Sequence, residues 1–522
     1  MRELEALVGL VLAAVLLAGA ARRVGAPYPA FLALGGALLA FVPGGPSLSV
    51  PPELALALFV APVLLDAAYD ASPRDLKDNW VPLTSLVVFA VGLTTIAVAW
   101  VAHALMPGMP WAAAMTLGAV VAPPDAAAAT AVLRQLRPPH RILTILQGES
   151  LLNDATALLI YRLAVGAVAA NSFSIGAVAP TFVFAVAGSV VAGPAMAWLT
   201  LRLTARVQHV PTAIILQFVI TLGVWIVADR IGLSGVLTMV CYAIAVARTA
   251  PERIPARIRI PSYAVWETVV FVLNVLAFVF IGLQLRPILE TLEPAARGQY
   301  FVVAGITLVT VIVVRIAWHM SFNAVIRWRD RRFGFHPPRQ TLLRPSVSSG
   351  LIISWSGMRG IVTLAAALAL PAGFPFRNLI VFTAFAVVLG TLVFQGLTLK
   401  PLLLALDLRD DDPVGQEVSA ARERALQAAL AQFERDRSPI AEAVRQEFTA
   451  HLGATGADPD EGEARRFAHS DIHRRAIEGA RHAVLGMRES DEIGDDAFHQ
   501  LEEELDWIEM AGGGREDTDL KG

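Results

Sequence analysis

Gln147-Gly148-Glu149-Ser150-Leu151-Leu152-Asn153-Asp154 brings two carboxylates, a hydroxyl and two amides into one short stretch. At about 100° per residue, Ser150 and Asp154 share a helix face, and Glu149 and Asn153 share the neighbouring one. Oxygen donors in that pattern suit a hard cation or a proton. The stretch lies inside an apolar run from Ile142 to about Ala170 that reads as a membrane-spanning helix. A charged side chain at that depth costs roughly 2.5–3.5 kcal/mol on insertion scales. A chain accepts the cost where the group binds an ion, moves a proton or pairs with a buried cation. The plainer alternative is a helix end exposed to water.

Several other spans carry polar groups. The fifth is interrupted by Ala122-Pro123-Pro124-Asp125, where two prolines remove two backbone donors and break the helix. Broken spans free half-helix ends to bind ions near the bilayer midplane, and Asp125 can offset the positive end of such a half-helix. The twelfth span holds Ser354-Trp355-Ser356-Gly357-Met358-Arg359-Gly360, in which two glycines bracket an arginine and again suggest a break. Arg359 needs a carboxylate partner at that depth; Glu149 is the candidate, because Asp154 must stay free to exchange ligands. The third span contributes Asp66, with Asp70 nearer the loop and solvated. In the tenth span Glu267, Asn274 and Gln284 are polar, and Asn274 reads as a helix–helix hydrogen bond. Arg162 and Arg315 also lie within spans; snorkelling or a buried pair would account for either, and neither is given a direct transport role.

The elements that must position these groups are helices in a bilayer. The chain has 522 residues, 55% hydrophobic and 17% charged, a balance that excludes a soluble domain of this length. About 20 apolar residues span a bilayer as helix, and about 13 such runs recur, at roughly 4–20, 28–42, 53–69, 80–106, 110–135, 142–170, 177–203, 211–228, 231–248, 262–285, 300–324, 346–370 and 376–400. They do not alternate apolar and polar residues, so a β-barrel is not expected. Arg2 with the apolar stretch after it could pass for a signal peptide, but Arg22-Arg23 does not resemble a cleavage site, and the stretch reads as the first span. One alternating set of loops carries nearly all the Lys and Arg, including Arg74, Lys77, Arg134, Arg137, Arg141, Arg253 and Arg259. That side is cytoplasmic by the positive-inside rule, which puts the amino terminus outside and the carboxyl terminus inside. Two interrupted spans, seven apart, suit six-helix units repeated with inverted topology. The expected fold is thus an all-α polytopic membrane domain over 1–405. Residues 406–522 form a cytoplasmic tail, helical with a disordered end.

Other features decide less. The net charge of −3 says nothing about partners. The lone Cys241 excludes an intrachain disulfide framework and a cysteine metal site. Half of the histidines fall in the tail; His469 and His473, four apart, could bind a metal or sense pH, although ordinary surface histidines account for them as well. No phosphate-binding glycine–lysine motif appears, so no ATP-driven cycle and no cofactor are expected, and nothing indicates nucleic acid.

With these residues in view, the chain from about Leu54 to Lys400 resembles the monovalent cation:proton antiporter-1 family, the sodium/proton exchangers. The most specific parts are Gly148 through Asp154 and Gly357-Met358-Arg359-Gly360, in the right order and separation; Pro62–Ala68 and Phe271–Leu285 fit as well. The resemblance implies a homodimer in a cell membrane, each protomer split into a dimerisation domain and a moving six-helix core. It implies that Asn153-Asp154 is the cation and proton site, that Asp154 binds the ion with help from Ser150 and Asp66, and that Glu149 pairs with Arg359. The sequence departs from the family at two places. Pro124-Asp125-Ala126 stands where the family has Thr-Asp-Pro, and Asp66 stands where Glu is common. Both lie in the expected ion shell.

The resulting expectation is a secondary antiporter. Asp154, Ser150, Asp66 and backbone carbonyls freed at Pro124 would hold Na⁺, with Li⁺ as a possible second substrate; a proton would compete for Asp154. A single titrating Asp beside Asn153 suggests one cation per proton and an electroneutral cycle. A K⁺/H⁺ antiporter of the same family is the alternative. An ion channel would also have broken helices, but a titrating single site suits a carrier. An intramembrane hydrolase would need a histidine beside Ser150, and His103 and His319 read as lying toward span ends.

Overall fold

The computed structural model describes residues 2–408 apart from 25–26, 43–50, 134–137, 171–174 and 335–345, with a few isolated residues beyond. By Cα packing the chain divides into Met1–Asp411 and Asp412–Gly522. The tail helices expected from the sequence, the histidine pair His469 and His473, and the loop residues Arg134, Arg137, Arg339 and Arg344 lie outside the described residues.

The described residues of the first unit are helical almost throughout. The first helices are α1 (Arg2–Val24), α2 (Tyr28–Leu39) and α3 (Ala61–Asp70), the last entered through a π-helical turn, Leu56–Val60. Then come α4 (Trp80–Leu105), α5 (Trp111–Val121), α6 (Ala126–Leu133) and α7 (His140–Ala170). After them run α8 (Ile175–Thr204), α9 (Val210–Arg230), α10 (Gly235–Arg253) and α11 (Ala256–Leu283). The last are α12 (Arg297–Phe333), α13 (Val347–Trp355), α14 (Ile361–Leu368) and α15 (Arg377–Ala405). Helix is found in every interval that the sequence marks as a span. Seven helices among the described residues are long and apolar enough to cross a membrane, with shorter apolar ones beside them. This is an all-helical polytopic membrane protein. Its exposed faces fit lipid: Ile215, Val219, Val309 and Val313 are each more than half exposed.

Both expected interruptions are present. The fifth span is split into α5 and α6 around residues 122–125, and the twelfth into α13 and α14 around 356–360. The breaks are packed against each other through α5, α7, α14 and α15. The largest apolar cluster surrounds them, with Leu117, Val121, Ile145, Ile352, Met358, Leu364 and Val388 all buried. A second cluster joins α3, α8, α9 and α10 to Leu151 of α7. The long helix α12 buries Thr307, Val311, Arg315, His319 and Asn323, every fourth residue, which turns a polar stripe inward. His319 is buried in the bundle, 1% exposed. A π-helical turn at Ser85–Ala90 opens α4, and the Ser85 carbonyl and hydroxyl both accept from Trp318 Nε1, at 3.2 and 3.1 Å.

Helices α2 and α11 approach at backbone contact. A Cβ at Gly36 would fall on the Val279 carbonyl, and one at Gly282 on the Ala33 carbonyl. Without water to drive association, such small-residue crossings supply much of the packing in a bilayer. Replacing Gly282 by Leu should force the pair apart, costing about 1–3 kcal/mol or more. A lowered thermal midpoint in detergent would register this, whereas Gly9→Leu, at an open position on α1, should leave the midpoint unchanged.

Candidate ion site

A helix interrupted in the membrane leaves its last carbonyls and first N–H groups without intrahelical partners. At the first break these groups are met by side chains from elsewhere. The Arg359 guanidinium donates to the carbonyl of Val121 (Nε, 3.0 Å) and that of Ala122 (Nη2, 3.1 Å), and its Nη1 donates to the Gly357 carbonyl. A fixed cation thus sits at the negative end of α5, where the helix dipole favours it. Asn153 Nδ2 donates to the Pro124 carbonyl at 2.8 Å. Asp125 immediately precedes α6, at its positive end. The Asp125 backbone N–H donates to the Met358 carbonyl at 2.6 Å, so the two breaks are joined directly.

The second break is held the same way by Arg315 of α12. Its Nε donates to the Ser354 carbonyl at 3.1 Å and its Nη2 to the Ile353 carbonyl at 3.0 Å, the last carbonyls of α13. The same guanidinium forms a two-pronged pair with Glu149, Nη1 to Oε1 at 2.5 Å and Nη2 to Oε2 at 2.8 Å. Arg315 and Glu149 are 3% and 1% exposed. This corrects the expected Glu149–Arg359 pair. The donors of Arg359 go to backbone carbonyls, and both oxygens of Glu149 are held by Arg315. The reason is geometric: a planar guanidinium matches a carboxylate with two parallel bonds, and α12 delivers one beside α7. Arg162, the other arginine within a span, pairs with Asp229 at 2.9 Å, both more than half exposed.

The glycines of the second break make room for these groups. A Cβ at Gly357 would collide with the Arg315 side chain, and one at Gly360 with the Asp125 carboxylate. Each glycine is needed for close approach.

Asp154, Asn153, Pro124 and Asp125 converge at the crossing of the two breaks. Asp154 is buried, and Asp125 lies near enough for the two carboxylates to interact electrostatically. Asn153 is fully buried; its amide nitrogen is spent on Pro124, while its Oδ1 accepts no hydrogen bond. Ser150 stands one turn before Asp154 on α7, half-buried. Asp66 is on α3. It is half-buried and lines a cavity of about 150 Å³ together with Tyr69, Asp70, Gln217, Arg259 and Trp266. Asp154 and Ser150 do not line that cavity. Among the carbonyls freed at the first break, those of Val121, Ala122 and Pro124 already accept hydrogen bonds. The residue whose part sequence reasoning missed is Arg315. Its signal was present, as an arginine in an apolar span with no carboxylate near it in sequence.

Two broken helices that cross beside buried carboxylates, inside a polytopic helical bundle, fit the architecture of a membrane transporter. Residues 10–405 match the transmembrane sodium/hydrogen exchanger family, and the chain belongs to it. An uncharacterized Na⁺/H⁺ exchanger of Mycobacterium tuberculosis is 31% identical over 517 residues, covering 92% of this chain and 91% of that one. A sodium, potassium, lithium and rubidium/H⁺ antiporter of Bacillus subtilis is 28% identical over 505 residues, covering 93% of this chain and 74% of that one. The sodium proton antiporter MjNhaP1 of Methanocaldococcus jannaschii shares the fold, with a TM-score of 0.59 at 18% identity over 78% of this chain and 99% of that one. The protein is a monovalent cation/proton antiporter and not an enzyme.

Breaking the buried ion pair should be costly. Glu149→Gln or Arg315→Met alone is expected to lose about 3–5 kcal/mol, because each leaves a charge buried without its counter-ion. The double variant should recover much of that loss. Thermal unfolding of the four proteins in detergent would measure the coupling, and additive losses would refute the pairing.

Proposed function

We propose that this chain exchanges Na⁺, and Li⁺ less specifically, for H⁺ with one cation per proton, and that Asp154 is the group for which the two compete. The observation that carries the reading is the buried position of Asp154 at the junction of the two breaks, beside Asn153 Oδ1, a buried acceptor with no donor. Ser150 and Asp66 complete the oxygen shell as α3 and the breaks move relative to each other. Asp125 is tied to the start of α6 and serves the half-helix, which leaves one carboxylate to carry the exchange and makes the cycle electroneutral. Glu149 and Arg315 cancel each other's charge in place. An empty, charged Asp154 resists exposure to the apolar barrier, so the carrier crosses only when loaded.

The cavity lined by Asp66 extends to Arg253 and Arg259, on the side that the Lys and Arg distribution makes cytoplasmic. This supports access to Asp66 from inside, with the amino terminus outside and the tail within the cell. We further read the chain as 13 spans in inverted six-helix repeats, as a homodimer of the cell membrane, with residues 406–522 as its cytoplasmic domain. A K⁺-transporting reading is favoured by one observation, the breadth of the Bacillus subtilis relative, a sodium, potassium, lithium and rubidium/H⁺ antiporter.

The test is fluorescence dequenching in proteoliposomes with an imposed pH gradient, adding Na⁺, Li⁺ and K⁺ in turn. Wild type should move protons on addition of Na⁺, with apparent cation affinity weakening as pH falls, since proton and cation compete. Asp154→Asn should lose the response to every cation while remaining folded. Exchange at the normal rate in that variant would overturn the assignment of Asp154. A response to K⁺ equal to that for Na⁺ would move the reading to the broader substrate class. A membrane current that follows turnover would refute electroneutrality.

A further inference from the structure

Gln395 of α15 is fully buried, and both its Oε1 and its Nε2 lack a hydrogen-bond partner. A primary amide in that condition loses its solvation at both ends. Its neighbours along α15 fix where it points. Thr391 Oγ1 accepts from the Arg359 backbone N–H at 3.0 Å. Thr398 Oγ1 accepts from Trp355 Nε1 at 2.9 Å. Gly396 stands between Met358, whose Sδ lies 3.3 Å from where a Cβ would stand, and Pro27 and Ala30 at the start of α2, at 3.5 and 3.9 Å. On a helix turning about 100° per residue, Gln395 projects between Thr391 and Thr398 on one side and Gly396 on the other. All three of those positions touch residues 355–359, so the amide is aimed at the second break.

The break presents a matching group. Ser356 is 1% exposed, its N–H is satisfied by the Ile352 carbonyl at 2.8 Å, and its Oγ has no partner. A hydroxyl and both ends of an amide supply donors and acceptors together. Arg359, at the same place, disfavours a second cation. A neutral molecule able to donate and accept at once fits that set. Buried waters typically make about three hydrogen bonds to groups in this condition.

We propose that Gln395 and Ser356 hold a small buried water site that ties α15 to the second break. It steadies the backbone whose Met358 carbonyl receives the Asp125 N–H. Gln395 is thus a positioning residue, acting through the break rather than on the ion.

The test is X-ray radiolytic labelling of the full-length protein in nanodiscs, in which hydroxyl radicals made from bound water oxidise adjacent side chains. Met358 is 1% exposed and out of reach of bulk solvent. It should nevertheless be oxidised in wild type, and several-fold less in Gln395→Leu, whereas the exposed Trp328 should be labelled equally in both. Met358 left unlabelled in wild type, or labelled equally in the variant, would overturn the proposal. Should Gln395→Leu fail to fold, Ser356→Ala takes its place, and a high-resolution electron-microscopy map of wild type is read at the same position. Density within hydrogen-bond reach of both amide atoms supports the site. An amide bonded directly to protein groups refutes it.

Discussion

Hydrogen-bonding capacity exposed by a broken helix, in a medium without water, is the constraint that the rest of this protein satisfies. An unpaired backbone group in the hydrocarbon region costs several kcal/mol. Two breaks that touch would be prohibitive without dedicated partners. Arg359 takes the carbonyls at the end of α5, Arg315 takes those at the end of α13, Asn153 takes that of Pro124, and Asp125 joins the two breaks through its own N–H. Each arginine uses its planar set of donors on a cluster of carbonyls that the single point charge of a lysine would not match.

Those arginines bring charge with them, and the charge organises the next layer. Glu149 neutralises Arg315 with two bonds and is itself fully buried. Arg359 rests in the dipole field at the end of α5, with Glu149 near enough to act on it electrostatically. The glycines follow from the same logic. Gly357 admits the Arg315 side chain and Gly360 admits the Asp125 carboxylate, so the loop between α13 and α14 can close on both. Most of the polar residues near Asp154 therefore support backbone. This separates the groups committed to holding backbone from Asn153 Oδ1, which accepts no hydrogen bond.

The fold was largely legible because a helix that crosses a bilayer needs a long apolar run. The double proline at 123–124 and the paired glycines at 357 and 360 marked both interruptions for the same local reasons that produce them. Asp154 stood out by cost: an acid in an apolar helix needs a purpose. The pairing of Glu149 was not legible. Arg315 and Arg359 are both arginines in apolar spans, and no spacing rule says which of two distant helices delivers its guanidinium to α7. The same holds for Gln395, which in the sequence is one polar residue in a long apolar run.

By itself, then, the sequence determined the membrane class, the positions of the helices, where two of them break, and which apolar helix carries acids. These follow from hydrophobic length, backbone chemistry and the cost of buried charge, all of which act within a short stretch of chain. The tertiary structure alone decided that Arg315 rather than Arg359 faces Glu149, that Arg359 closes the end of α5, that Asn153 spends its amide on Pro124, and that Asp66 opens onto a separate cavity. Those outcomes depend on how helices far apart in sequence rotate and approach, and close packing settles that for the whole bundle at once.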